Sequence, residues 1–194
     1  MLTKINHESP DEKLRTEIEN FNQELSVHNT SLEAFDKPPE IDGGDMLTIT
    51  AKQLTSMHSK SLEGRLRARQ QAVVLARKWV ELLEAIAPEL RQLRDDAEQA
   101  LKTSLEVTAE HMEAVGLGVE STVAGRAGRA DGLTAQRQFD YQVRQAVPVK
   151  ICQQDSKAAQ NVVNGNLKQV GAAKSLLQDA RDRLITFVNQ TLKG

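Results

Sequence analysis

Between residues 14 and 35 the positions Leu14, Ile18, Phe21, Leu25, His28, Leu32 and Phe35 follow a strict 4-3-4-3-4-3 spacing. Such spacing keeps one narrow stripe of a helix turned toward a partner helix, as in a coiled coil. The preceding "SPDE" predicts the helix start, with Ser9 at the N-cap, Pro10 at the first helical position and Glu12 completing a capping box. The paired prolines and glycines of "DKPPEIDGGD", residues 36–45, predict its end.

A second helix is predicted from Thr50, which with Gln53 fits another capping box. Its seam runs Leu62, Leu66, Arg69, Val73, Ala76, Val80, Leu83, Ala87 and Leu90. It continues through Arg94, Ala97, Leu101, Ser104, Thr108 and His111 to Val115, every step being three or four residues. Pro88 interrupts this run, and a proline inside a helix costs about 3 kcal/mol. Two geometries follow: one long helix kinked at Pro88, or an antiparallel hairpin turning at "EAIAPE". The hairpin would set Arg65, Arg69 and Arg77 opposite Glu110, Glu106 and Glu98. Yet the turn offers no Gly, Asn, Ser or Asp as a cap, and an unbroken phase has no reason to survive a turn. The kinked helix is favoured.

The pattern ends at "VGLGVESTVAGRAGRADGL", residues 115–133, which holds five of the eleven glycines. In "FDYQVRQAVPVKIC", Phe139, Tyr141 and Val143 alternate, and so do Val147, Val149 and Ile151. This reads as short strands, with Pro148 confining any strand to a sheet edge. Leu133, Val143 and Ala146 also allow a short helix begun by Thr134. A last helix is predicted from Ser156, with Val163, Leu167, Val170, Ala173, Leu177, Ala180, Leu184 and Phe187 on its apolar face. "NGN", residues 164–166, marks a kink or a delayed start in it.

The expected fold is therefore all-α, an elongated helical bundle or coiled coil with a glycine-rich break and a short irregular or β-like segment near 137–152. Four segments compose it: an acidic helix and linker (1–45), a long central helical region (46–115), a connector (116–155) and a basic C-terminal helix (156–194). Helix contacts are expected from Leu14, Ile18, Phe21, Leu25, Leu66, Val73, Val80, Leu83, Leu101, Leu177 and Leu184.

Composition sharpens this. Hydrophobic residues at 39% and charged ones at 27% describe a folded chain, while aromatic residues reach only 3%. Cores must then be built from Leu, Val, Ile and Ala, which suits slender helix seams. A single cysteine, Cys152, allows no internal disulfide and fits a reducing compartment. No charged and apolar leader opens the chain, and the longest strictly apolar run is "AVVLA". A cytoplasmic protein is expected, with signal-less export as the alternative.

The net charge of −2 hides strong blocks. Residues 1–45 carry 4 basic and 11 acidic side chains, and residues 58–78 carry 6 and 1. Residues 79–113 carry 3 basic and 9 acidic side chains, and residues 116–194 carry 11 and 6. Blocks of alternating sign predict helices that pair with one another or with a second copy.

Candidate chemistry is sparse. "GLGVES" lacks the third glycine and the preceding strand of a dinucleotide fingerprint, and no Walker A loop occurs. The four histidines are scattered, with no Glu-x-x-His pair, no His-Glu-x-x-His and no Cys-x-x-Cys. Cys152 has Lys150 nearby but no identifiable base. No catalytic residue, metal ligand or cofactor is therefore expected. Arg65, Arg67 and Arg69, with Arg126 and Arg129 in the glycine-rich stretch, are candidate contacts to an anionic partner such as nucleic acid. Arginines 65, 67 and 69 spread around a helix without interleaved aromatics, so a protein partner for this charge is favoured. Arg69 and Arg94 sit on the seam, where a polar residue fixes register or partner choice. The expected function is non-enzymatic assembly or adaptation through helix–helix contacts, acting by self-association or on a helical protein partner.

Overall fold

The computed structural model describes residues 2–35, 50–114 and 129–193, and among them every regular element is helical. The helices are α1 (Glu12–Phe35), α2 (Ala51–Ala114), α3 (Arg129–Gln145) and α4 (Val147–Lys193). The all-α expectation holds. The 36–45 linker and most of the glycine-rich stretch, Arg126 included, lie outside the described residues. Arg129 opens α3, but its side chain is outside them too.

The start of α1 falls two residues later than "SPDE" suggests. Asp11, not Ser9, is the N-cap. Its backbone carbonyl accepts the first helical hydrogen bond from Arg15 N at 2.9 Å, and its Oδ1 accepts from Lys13 N at 2.9 Å. Ser9 Oγ instead accepts from Asp11 N at 3.0 Å, forming a turn that delivers the chain to the cap. An aspartate caps as well as a serine does, and its carboxylate also suits the positive helix end. Upstream, the extended segment folds back along α1. Ile5 N donates to Asn22 Oδ1 at 2.9 Å, and Asn22 Nδ2 donates to Ile5 O at 3.0 Å. One side-chain amide thus satisfies both backbone groups of a residue whose own side chain is buried.

The helix α2 passes through Pro88 without turning back, so the hairpin does not form. Pro88 removes the donor for the Glu84 carbonyl, a loss confined to one turn among good helix formers. One residue earlier, the Leu83 carbonyl accepts a hydrogen bond from Asn166 Nδ2 of α4 at 3.2 Å. "NGN" does not interrupt α4; its last residue is buried and bound to α2.

The strand-like alternation of 139–151 is overturned. Phe139 and Val143 lie four residues apart on one side of α3, with Val143 buried and Tyr141 exposed. Val149 is buried while Val147 and Ile151 are exposed, again a helical rather than an alternating pattern. Pro148 stands in the first turn of α4, where its absent N–H has no helical partner to lose. Hence α4 begins at Val147, not near Ser156. Its predicted face also needs one correction: Leu167 is exposed, and neighbouring Asn166 takes the inward place.

Two compact units divide the chain, Met1–Ile86 with Asn166–Gly194, and Ala87–Gly165. In the first, α1 and the parts of α2 and α4 within that unit pack around Phe21, Leu25, Leu75, Ile86 and Ala173. The α1 seam is buried at Leu14, Ile18, Phe21, Leu25 and His28. On α2 the predicted seam accounts for only part of the buried face. Val80 and Leu83 are buried, while Leu66 and Val73 are partly covered. A second stripe, Ala68, Leu75, Trp79, Leu82 and Ile86, is buried beside it, with Ala72 partly covered in the same line. Its spacing is also four and three, offset by one residue. Two offset stripes make a broad face that serves two neighbours. Lys78 Nζ pairs with Glu24 Oε2 of α1 at 2.7 Å, whereas Glu84 Oε1 pairs with Lys174 Nζ of α4 at 2.7 Å.

The second unit holds Leu90, Val143, Val149 and Val163 buried. Beside Val143 and Val149 runs a groove of about 530 Å³ whose walls include Leu101, Leu105, Ala109 and Phe139.

Helical glycines offer a direct test of α4. A Cβ built at Gly171 meets no atom within 4 Å. Gly171→Ala is therefore expected to raise stability by about 0.5–1 kcal/mol, because alanine loses less backbone entropy in a helix. Urea melts of the two proteins check this; a loss of stability would mean that α4 is not a regular helix there.

Candidate interaction surface

Within the second unit, α2 carries a third stripe, Leu93, Ala97, Ala100, Ser104, Val107, His111 and Ala114, spaced 4-3-4-3-4-3. It shares Ala97, Ser104 and His111 with the predicted seam, and Ala97 and Ser104 are partly covered, as are the seam positions Leu101 and Thr108 beside it. The other five positions of the stripe are exposed, Leu93 at 57%, Val107 at 58%, and Ala100, His111 and Ala114 with them. Small side chains between two larger ones leave room for another helix to approach closely. The surrounding charge is one-sided: residues 93–114 carry 6 acidic and 2 basic side chains. Arg94, predicted to set register, hydrogen-bonds Asp95 and lies 3.8 Å from Glu98 on its own helix. The hydrogen bond to Asp95 raises its pKa further above the ordinary arginine value.

A second open patch lies in the first unit, near the end of α4. Ile185, Val188 and Leu192 follow one another at i, i+3 and i+7, and Ile185 is 57% and Leu192 80% exposed. Residues 166–194 carry 5 basic and 2 acidic side chains, the opposite balance to the α2 stripe. Leu177 and Leu184, predicted as contacts, are partly covered, and Leu184 lies one turn from Val188.

Two of the three candidate anion contacts on α2, Arg67 and Arg69, are engaged within the chain. Arg67 pairs with Glu63 one turn away, and Arg77 Nε with Glu81 Oε1 at 2.8 Å. The Arg69 guanidinium lies over the Phe187 ring, 4.9 Å from its centroid, a cation–π contact between α2 and α4. Arg65 is exposed, on a different side of α2 from Arg67. The block therefore presents no continuous row of unpaired cations.

Among the described residues no group of three or more His, Cys, Asp or Glu side chains is placed to hold a metal ion. Nor is any helix there long and apolar enough to cross a membrane. Cys152 is partly covered within α4.

One polar group stands out in the first unit. His28 is 3% exposed, and among the described residues its Nδ1 has no hydrogen-bond partner. Burial holds its pKa below the ordinary histidine value. Below about pH 6.5 the unfolded chain binds a proton there that the folded chain resists, so folding stability should fall as pH drops through that range. Above it both states are neutral and the group contributes no slope. Urea unfolding at pH 7.5 and 5.5 should show this loss, and His28→Leu should reduce it. An unchanged pH dependence in the variant would refute the assignment.

Comparison of the chain with protein-family models, curated proteins and solved structures gives no match.

Proposed function

We propose that this chain is a non-enzymatic assembly protein whose copies join helix to helix. The acidic outer stripe of α2 in one copy takes the basic apolar end of α4 from another. The carrying observation is the heptad-like stripe from Leu93 to Ala114, which has the spacing of a helix contact and five exposed positions among its seven. Its acidic surroundings favour a basic occupant, and Ile185, Val188 and Leu192 supply apolar side chains on a basic segment. Unlike surfaces meeting in this way form a heterologous contact, which builds rings or open chains rather than a closed pair.

The test uses Val107→Glu and Leu192→Glu, both at exposed positions. Light scattering coupled to size-exclusion chromatography should show concentration-dependent oligomers for the parent chain, weakened by salt, and monomers for each variant. Mixing the variants should restore a single 1:1 complex, because one retains the stripe and the other the α4 end. A parent chain that stays monomeric, or variants that fail to complement, would overturn this reading.

A further inference from the structure

The acidity along the outer stripe of α2 is unevenly spread. Residues 91–102 carry 3 basic and 3 acidic side chains, whereas residues 103–114 carry Glu106, Glu110 and Glu113 with no lysine or arginine. In the first half the charges also find partners on their own helix. Arg94 bonds Asp95, and Asp96 Oδ1 accepts from Gln92 Nε2 at 2.8 Å. In the second half, among the described residues, no ion pair reaches any of the three glutamates. Glu110 is exposed and lies three residues after Val107 and four before Ala114, so it borders both on the helix surface.

The apolar patch of α4 has a charged edge of its own. Arg181 is exposed and sits four residues before Ile185, in line with Ile185, Val188 and Leu192. Among the described residues it enters no ion pair. Its neighbour Asp182 points about 100° further round the helix and accepts from Gln178 Nε2 at 3.0 Å.

Spacing alone allows two directions for such a helix on the stripe. The steps 185, 188, 192 match 107, 104, 100 when the helices run antiparallel, and 97, 100, 104 when they run parallel. Charge separates them. The antiparallel match brings Arg181 to the level of Glu110, beside the negative C-terminal end of α2. The parallel match sets Arg181 beside the balanced half and turns the last carbonyls of α4 toward the glutamates, which is unfavourable.

We propose that the joint between copies is antiparallel, with Ile185, Val188 and Leu192 of one copy against Val107, Ser104 and Ala100 of the next, and with Arg181 paired to Glu110. This direction rests on the assembly proposed above and adds its register and its selective ion pair.

Charge reversal tests the pair. Glu110→Arg or Arg181→Glu alone should weaken association about tenfold or more at low salt, while circular dichroism stays helical. The chain carrying both reversals should regain the parent affinity, since every joint then pairs the exchanged charges. Cross-linking tests the direction, because a disulfide needs its two Cα atoms within about 7 Å. In a Cys152→Ser background, chains with Ile185→Cys should cross-link on oxidation to chains with Val107→Cys and not to chains with Ala97→Cys. A preference for Ala97→Cys, no cross-link to Val107→Cys, or a double reversal no tighter than the single ones would overturn the antiparallel joint. Each of these leaves the assembly itself standing, whereas a parent chain that stays monomeric overturns both.

Discussion

Replacing Phe21 by alanine is expected to cost about 3–5 kcal/mol of folding stability, the range for truncating a buried aromatic side chain. Phe21 is 1% exposed and is among the largest fully buried side chains of the first unit. It sits midway along the α1 seam, between Ile18 and Leu25, which are buried as well. Truncation therefore removes apolar burial and leaves a void that closes only if α1 shifts from its docked position. Against ordinary domain stabilities of about 5–15 kcal/mol, such a loss is a large fraction of the total and would unfold a unit at the low end of that range. Urea denaturation with circular dichroism should show a lower midpoint with an unchanged slope. A loss below 1 kcal/mol would mean that α1 is not docked by this seam.

Three neighbouring positions on α2 give the second large effect and a sharper contrast. Leu75 is 0% exposed, Val74 is 53% exposed, and Val73 is partly covered. Leu75→Ala should cost about 2–5 kcal/mol, whereas Val74→Ala should stay within about 0.5 kcal/mol of the parent. Val73→Ala should fall between them. The order tests the broad two-stripe face directly. A helix using the predicted seam alone would make Val73 the most sensitive of the three.

The same contrast explains what was legible in the chain. The narrow stripe of α1 could be read residue by residue, because spacing and burial agree from Leu14 to His28. On α2 the stripe from Leu66 to Leu90 fits the four-three template, and so does the one from Ala68 to Ile86. A template satisfied once gives no reason to look for a second match one residue away. Leu75 and Trp79 lay on that second match, and only the presence of two neighbours, α1 and α4, requires it. In the second unit the predicted seam includes Ala97, Ser104 and His111, but it passes over Leu93, Ala100, Val107 and Ala114, which complete an equally regular four-three stripe one residue away. Around Pro148 the error was of another kind. Tyr141 and Ile151 read as apolar strand positions, but they are exposed on helices, and a first-turn proline resembles an edge-strand proline in sequence. Seam spacing placed His28 in the core. Its unpaired Nδ1 depends on which groups the other helices bring near, and no spacing encodes that.

The division of the chain into units also bears on its synthesis. Residues 87–165 form the second unit as one continuous stretch, whereas the first unit needs Asn166–Gly194 as well as Met1–Ile86. Ala173, wholly buried, and Asn166, bonded to Leu83, belong to that late contribution. At ordinary translation rates of 5–20 residues per second, the 79 intervening residues take roughly 4–16 s to emerge. For that interval α1 can lie against α2, but the side of α2 that will meet α4 is uncovered. The nascent chain thus carries an apolar surface around Ala76 and Leu83 that stays uncovered until Asn166–Gly194 emerges.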